Sequence, residues 1–210
     1  MKICCVSDLH GHLPEIPECD LLLIGGDIVP ATAHKPESSA FWLENVFRRW
    51  LEELPARNIV GIAGNHDWIF QKRRDLVPSL PWIYLQDSGV EIGGFKIWGT
   101  PWQPVFFDWA FNLPESELKL RWKMIPDDTD ILITHGPPYG IGDLSTYGNM
   151  NAGSPSLLAR IGELSPKLAV FGHIHSGYGE YRINDTIALN ASLVNEKYLP
   201  VNPIHIVNLA

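Results

Sequence analysis

The sequence contains few cysteines and no long hydrophobic run. Its three cysteines, Cys4, Cys5 and Cys19, form no CxxC pair, so neither a disulfide framework nor a thiolate zinc site is expected. We expect all three to be small apolar residues in or near the core. No apolar run approaches the roughly 18 residues that cross a bilayer, and the amino terminus lacks the cleavage site of a secretory signal. The sequence therefore predicts a soluble, cytoplasmic protein without a membrane partner.

Basic side chains are also scarce. Sixteen lysines and arginines stand against 24 acidic residues, which gives a formal net charge of -8. No basic stripe is visible, and this argues against a protein that holds long nucleic acid by neutralising phosphates. A length of 210 residues with 45% hydrophobic and 19% charged residues excludes a disordered chain. We expect a single domain over residues 1–210.

Five apolar runs of strand type each end in a short polar cluster. The runs are 2–7, 20–24, 58–62, 130–133 and 168–171, and the clusters contain Asp8, His10, Asp27, Asn65, His66, Asp67, His135, His173 and His175. Continuous apolar runs are typical of strands that are covered on both faces. Open α/β sheets bind their ligands at strand ends. The pattern predicts that these polar side chains share one site.

Other segments indicate helices and hairpins. Helices are expected from Ser38 or Ser39 to about Leu54, over Pro114–Met124 and over Ser154–Glu163, on capping and spacing signals. Glycine-punctuated pieces over 82–107 and a turn at Asn184-Asp185 favour antiparallel hairpins. Two β-sheets flanked by helices would bury all of these elements.

The residue types of the polar clusters indicate a metal site. Carboxylates, an amide and imidazoles without thiolates favour Mn, Fe, Zn or Co. Asp8 with His10, and His173 with His175, stand at i and i+2, which on an extended strand point the same way. Taken singly, His135 could be a buried structural histidine, and Asp27 and Asn65 could be turn residues. His12, His34 and His205 lack such context, and we expect surface or packing roles for them.

The motifs together resemble one family. Asp8-x-His10, Gly26-Asp27, Gly64-Asn65-His66-Asp67, His135 and Gly172-His173-x-His175 match, in order, the signature of the calcineurin-like metallophosphoesterases. The segments Gly99–Pro104, Thr134–Pro138 and Gly172–Gly179, with Asn190-Ala191-Ser192, are similar to its brain protein 239-like branch. The resemblance covers nearly the full length. It implies a four-layer α/β/β/α sandwich with two mixed β-sheets.

The resemblance also implies roles for these residues. Asp8, His10 and His175 would hold one divalent ion, and Asn65, His135 and His173 the other, with Asp27 bridging them. His66 would lie outside the metal shell near the leaving group, and Asp67 would hydrogen-bond it. We expect two divalent ions, Mn before Fe, Zn, Co or Ni, and a metal-bridging hydroxide that attacks phosphorus.

The expected substrate is a small phosphodiester, such as a cyclic nucleotide. Phosphoprotein phosphatases of the superfamily carry arginines where this chain has Ile28-Val29-Pro30 and Ala63, and a monoester dianion suits such an arginine fork. Asn65, His66, Trp102 and Tyr139 are candidate substrate contacts, and Trp68, Phe106 and Tyr147 could stack on a base or simply pack. The alternatives are a phosphomonoesterase, a nuclease and a non-catalytic scaffold of the same fold.

Overall fold

A computed structural model describes residues 1–210 and contains two large mixed β-sheets. The strands are β1 Lys2–Val6, β2 Cys19–Ile24, β3 Ala56–Gly61, β4 Ile83–Tyr84, β5 Ser88–Ile92, β6 Phe95–Thr100, β7 Gln103–Pro104, β8 Asn112–Leu113, β9 Ile131–Thr134, β10 Leu144–Ser145, β11 Met150–Asn151, β12 Leu168–Phe171, β13 Gly179–Ile183, β14 Thr186–Asn190 and β15 His205–Asn208. The helices are α1 Pro36–Trp42, α2 Arg48–Glu53, α3 Trp68–Lys72, α4 Glu115–Trp122 and α5 Pro155–Leu164, and a π-helical turn over Leu43–Phe47 joins α1 to α2.

The first sheet has the order β15-β1-β2-β3-β4, and the second has the order β13-β14-β12-β9-β6-β5. All pairs of the first sheet are parallel except β15 with β1. In the second sheet only the outer strands β13 and β5 are antiparallel to their neighbours. Two short ribbons, β7-β8 and β10-β11, lie outside both large sheets.

Alternate residues of each strand face different apolar layers. Ile3 and Leu23 of the first sheet belong to the same buried cluster as Ile133 and Val170 of the second, so this cluster fills the space between the sheets. The other faces meet helices: the second buried cluster contains Phe47, Trp122 and Ile161 with Leu22 and Phe171, among others. The two sheets therefore form the inner layers of the expected four-layer sandwich. Cys4, Cys5 and Cys19 are buried and unpaired, as predicted.

The helix predicted from Ser38 or Ser39 begins earlier than expected. Pro36 occupies its first turn, after Lys35 in an extended conformation, which is the position where proline is best tolerated. Ser39 lies inside the helix, and its hydroxyl donates to the carbonyl of Ala33. The cap predicted at Ser154 is correct, because its hydroxyl accepts from Leu157 N at 3.1 Å.

Two of the predicted hairpins form and one region differs. Gly93 and Gly94 (φ 59° and 81°) turn β5 into β6, and Asn184 (φ 52°) turns β13 into β14. Within 82–107, however, β4 joins the first sheet parallel to β3, and β7 pairs in parallel with β8. Short parallel pieces of this kind carry no local turn signal, so the sequence did not separate them from hairpins. No helix is long and apolar enough to cross a membrane.

Candidate metal centre

The polar clusters meet because the strands that precede them end side by side. Val6, Ile24 and Gly61 are register partners on β1, β2 and β3, so the clusters after these strands start at one edge. Ile133 of β9 pairs with Val170 of β12 in the second sheet. A bridge between Ser7 and Ser192 links the end of β1 to the segment that follows β14. All nine predicted polar residues are buried or nearly so.

One group of ligand atoms comes from Asp8, His10 and His175, which lie within 4.8 Å of one another. Nε2 of His175 lies 3.5 Å from Oδ1 of Asp8. Nε2 of His10 lies 3.5 Å from Oδ2 of Asp27. Separations of this size between donor atoms leave room for an ion between them, since Zn–N and Zn–O bonds are about 2.0–2.2 Å long.

A second group surrounds the amide oxygen of Asn65. This oxygen lies 2.8 Å from Nε2 of His135 and 2.8 Å from Nδ1 of His173. Nε2 of His135 also lies 3.5 Å from Oδ1 of Asp27. Asp27 thus turns one carboxylate oxygen toward His10 and the other toward His135, which is the arrangement that a carboxylate shared by two ions requires.

The unsatisfied atoms of this cluster test whether it suits metal ions. Both ring nitrogens of His10 are buried and have no hydrogen-bond partner, although buried polar groups are normally satisfied. Nδ1 of His135 lies 2.9 Å from the Gly25 carbonyl, and Nδ1 of His175 lies 3.2 Å from the Asn195 carbonyl. A carbonyl only accepts, so both Nδ1 atoms carry the hydrogen and both Nε2 lone pairs face the cluster, as metal ligation needs.

Burial keeps two of the ligand imidazoles in the form that binds metals, because it holds the pKa values of His10 and His173 well below their usual range. It also lowers the pKa of the neighbouring His66 to about 4. His175 is the exception: burial lowers its pKa, but the hydrogen bond to Asp8 and the charge of that carboxylate outweigh burial and raise it. Neutral imidazole is the ligating form. Burial raises the pKa of Asp27 to about 6, and the charge of Asp8 adds to that rise. A cation would favour the ionised carboxylate.

The backbone of this cluster is strained. Asp8, His10, Asp27 and His173 have positive φ angles of 54°, 43°, 51° and 67°, which are uncommon for residues with a side chain. Backbone hydrogen bonds hold them, among them Asp8 N to the Gly26 carbonyl at 2.9 Å. The i, i+2 pairs therefore converge through left-handed turns. The prediction that an extended strand aligns them is wrong.

The expected hydrogen bond between Asp67 and His66 does not form. The Asp67 carboxylate instead accepts from the backbone nitrogens of Gly64, Ile28 and Val29 at 2.8, 2.9 and 3.0 Å. Those buried donors need an acceptor, and Asp67 ties their two loops together. The partner of His66 is His34, which was expected to have only a surface or packing role: Nδ1 of His66 lies 2.8 Å from Nε2 of His34.

Three of the aromatic residues that were candidates for contact with the substrate do not line the cavity described below. Trp102 is buried in the core, and its Nε1 donates to Asp87 at 2.8 Å, so its predicted substrate contact is corrected. Tyr139 is 45% exposed and lies outside the cavity described below. The Trp68 ring packs under the Lys72 ammonium at 3.8 Å.

A cavity of about 430 Å³ opens beside the cluster. Its aromatic wall consists of Phe106, Phe107, Trp109, Tyr147 and Tyr198, and no lysine or arginine lines it. Trp109 and Tyr198 were not predicted from the sequence. Trp109 stacks on His66 with centroids 4.2 Å apart, and Tyr198 meets His10 edge-on at 4.7 Å. Neither residue belongs to a motif, so no local signal could have identified it.

Comparisons with known proteins agree with this geometry. The family model for calcineurin-like phosphoesterase matches residues 1–177. Metallophosphoesterase domain-containing protein 1 from Homo sapiens is 36% identical, over 99% of this chain and 71% of its own length. UPF0046 protein T07D4.2 from Caenorhabditis elegans is 30% identical, over 93% of this chain and 57% of its own.

Solved structures share the fold at low identity. The structure of TT1561 from Thermus thermophilus superposes with a TM-score of 0.57 at 16% identity, over 99% of this chain and 98% of its own. This structural similarity supports the fold alone. The family is shown by the match to the family model and by the sequence identity to the relatives. The chain belongs to the calcineurin-like phosphoesterase family, whose members are metal-dependent phosphoester hydrolases.

Proposed function

We propose that this chain is a cytoplasmic, dinuclear metal-dependent phosphodiesterase that hydrolyses cyclic nucleotides or small aryl phosphodiesters. One observation carries the proposal: the carboxylate–imidazole cluster opens into a cavity with an aromatic wall and no cationic side chain. A phosphate diester has one negative charge, whereas a monoester has up to two. A monoester dianion is the better match for an arginine fork, so a cavity without one favours the diester.

Seven residues would hold the two ions in this proposal. Asp8, His10 and His175 would bind one, Asn65, His135 and His173 the other, and Asp27 would bridge them. Imidazole, amide and carboxylate donors suit manganese, and also Fe, Zn, Co or Ni. When bound, two such ions act as Lewis acids that polarise a phosphoryl oxygen and lower the pKa of a coordinated water.

Two side chains of the cluster would act on the substrate directly. Nε2 of His66 faces the cavity, 4.0 Å from Oδ2 of Asp27, and would donate a hydrogen bond to the leaving oxygen. The amide oxygen of Asn65 faces two imidazole nitrogens. This leaves its NH₂ group free to donate to a phosphate oxygen.

The organic part of the ester would lie against the aromatic wall. Every nucleobase or aryl ring has a flat face that stacks on aromatic side chains without base-specific hydrogen bonds. Glu196, the cavity's exposed carboxylate, disfavours a doubly charged phosphate. Ile28, Val29 and Ala63, which stand where a phosphoprotein phosphatase would place its arginines, are fully buried and offer a phosphate no charge.

Hydrolysis by manganese-loaded protein tests the proposal. A bis-aryl phosphate, an aryl monophosphate, and 2′,3′- and 3′,5′-cyclic nucleotides should be compared at equal concentration, with chelator-treated protein as the control. We expect kcat/KM to be highest for a diester and to vanish with the metal. Preference for the monophosphate would favour a phosphomonoesterase, and no hydrolysis by protein with two bound ions would favour a scaffold; either result would refute the proposal.

A further inference from the structure

His34 makes a contact that the proposed function does not use. Its Nε2 lies 2.8 Å from Nδ1 of His66. The loop that carries it is anchored on both sides: the Asp67 carboxylate binds the nitrogens of Ile28 and Val29, and the Ser39 hydroxyl donates to the Ala33 carbonyl. His34 is therefore held in place by the fold.

The remaining surfaces of the His66 ring are also covered. Trp109 stacks on one face at 4.2 Å with planes 28° apart, and His10 meets the ring edge-on at 4.7 Å. Trp109 itself belongs to a loop whose Ala110 nitrogen donates to the Asn65 carbonyl. His66 lines the cavity and is only 6% exposed, and its Nδ1 is occupied by His34, so Nε2 is the ring nitrogen that remains for a substrate.

The contact between two neutral imidazoles contains one hydrogen, which belongs to either ring. Oδ2 of Asp27 lies 4.0 Å from Nε2 of His66, which is too far for a hydrogen bond, but its negative charge attracts an N–H and repels a lone pair. It therefore favours a hydrogen on that nitrogen. Nδ1 of His66 is then the acceptor, and Nε2 of His34 must be the donor. Nδ1 of His34 has no partner within the protein, and the residue is partly exposed.

We propose that His34 is a positioning residue for phosphodiester hydrolysis: its Nε2–H donates to Nδ1 of His66 and so keeps a hydrogen on Nε2 of His66, directed at the leaving oxygen. As the P–O bond to the oxygen of the attacking water forms, the P–O bond to the leaving oxygen breaks and its electron pair stays on that oxygen, where the hydrogen bond from His66 Nε2 stabilises the charge. The proton that the attacking water gives up reaches the leaving oxygen through solvent, so both imidazoles keep their hydrogens and their tautomers. The catalytic part of this inference rests on the proposed function, whereas the tautomer does not.

Kinetics with aryl phosphodiesters of graded leaving-group acidity test the catalytic part. Stabilisation of the charge on the leaving oxygen matters most for a poor leaving group. His34→Phe should therefore lower kcat about tenfold for an unactivated phenyl ester, change it little for a nitrophenyl ester, and leave KM unchanged. His34→Gln keeps an N–H donor and should recover most of the loss. Lys35→Ala alters the exposed neighbour and serves as the control.

A double variant separates positioning through His66 from a general structural effect. In a His66→Ala background, His34→Phe should cause no further loss, with metal content and Tm equal to those of the single variant. An equal loss for all leaving groups, an equal loss in His34→Gln, or an additive loss in the double variant would overturn the inference.

The tautomer can be measured without any activity. Nitrogen-15 spectra of the imidazoles in metal-free protein should show His66 with its hydrogen on Nε2, and His34→Phe should shift it toward a mixture. A hydrogen on Nδ1 of His66 in the unmodified protein would overturn the inference. If the unmodified enzyme hydrolyses no diester, the proposed function fails, and these spectra still decide the arrangement of His34.

Discussion

Replacing Gly172 with alanine should disrupt the metal centre through one methyl group. Gly172 follows β12 and precedes His173 in the chain. An added Cβ would lie 2.1 Å from Oδ2 of Asp8, 2.2 Å from Oγ of Ser7 and 2.7 Å from Cβ of Ser7. Ordinary contact begins at 3.4 Å. The distance between the new methyl group and Ser7 Cβ would therefore have to increase by about 0.7 Å, and the two oxygens would have to move further still.

Neither neighbour can yield without breaking other interactions. Ser7 is fully buried, and its nitrogen donates to the Ala191 carbonyl at 2.7 Å. Oδ2 of Asp8 accepts from His173 N at 3.0 Å and from the Ser192 hydroxyl at 2.7 Å. Overpacking of this kind costs roughly 1–3 kcal/mol of unfolding free energy. Asp8 is a proposed metal ligand, and loss of the hydrogen bonds that orient such a ligand weakens metal affinity about 10–100-fold.

Gly162→Ala is the matched control. Gly162 lies inside α5, and the nearest atom to its added Cβ is 4.0 Å away. Alanine in a helix is favoured over glycine, so this variant should be more stable by about 0.5–1 kcal/mol. Urea unfolding and metal titration measure both effects. Gly172→Ala that binds two manganese ions per chain with unchanged affinity would refute the packing argument.

Two further variants test single side chains of the site and its support. His66→Ala should retain both metal ions, measured by elemental analysis, and lose about 10²–10⁴-fold in kcat because it removes the donor to the leaving oxygen; wild-type turnover at full metal occupancy would contradict that role. Ser154→Ala should lose about 2 kcal/mol in urea unfolding, because its hydroxyl accepts from Leu157 N and Trp122 Nε1 and donates to Glu115. A loss below about 0.5 kcal/mol would show that these bonds are replaced by water.

Sequence patterns predicted the strands and the cluster well. The runs before Asp8, Asp27 and Asn65 are strands within a residue or two of the predicted bounds. Parallel neighbours in one sheet end at the same edge, so the polar residues after β1, β2 and β3 are brought together, and so are those after β9 and β12. That the two sheets place these edges against each other was decided by the tertiary structure.

The same patterns failed for side chains whose partners depend on loop conformation. The left-handed backbone at Asp8 and His10 was predicted as extended, since no local rule requires a positive φ there. Trp102 and Trp109 are seven positions apart in one glycine-poor segment. One is in the core and the other stacks on His66, because the Ala110 nitrogen beside Trp109 is bound to the Asn65 carbonyl.

By itself the sequence determined that carboxylates and imidazoles gather at the strand ends and that no arginine fork accompanies them. Only the tertiary structure decided the partners of His66 and Asp67. The carboxylate of Asp67, the residue after His66, accepts hydrogen bonds from three backbone nitrogens. The His66 ring instead contacts His34, which is 32 residues away in the sequence. Chain proximity fixes neither the direction of a side chain nor the competition for buried donors, and those two effects select the hydrogen bonds of this site.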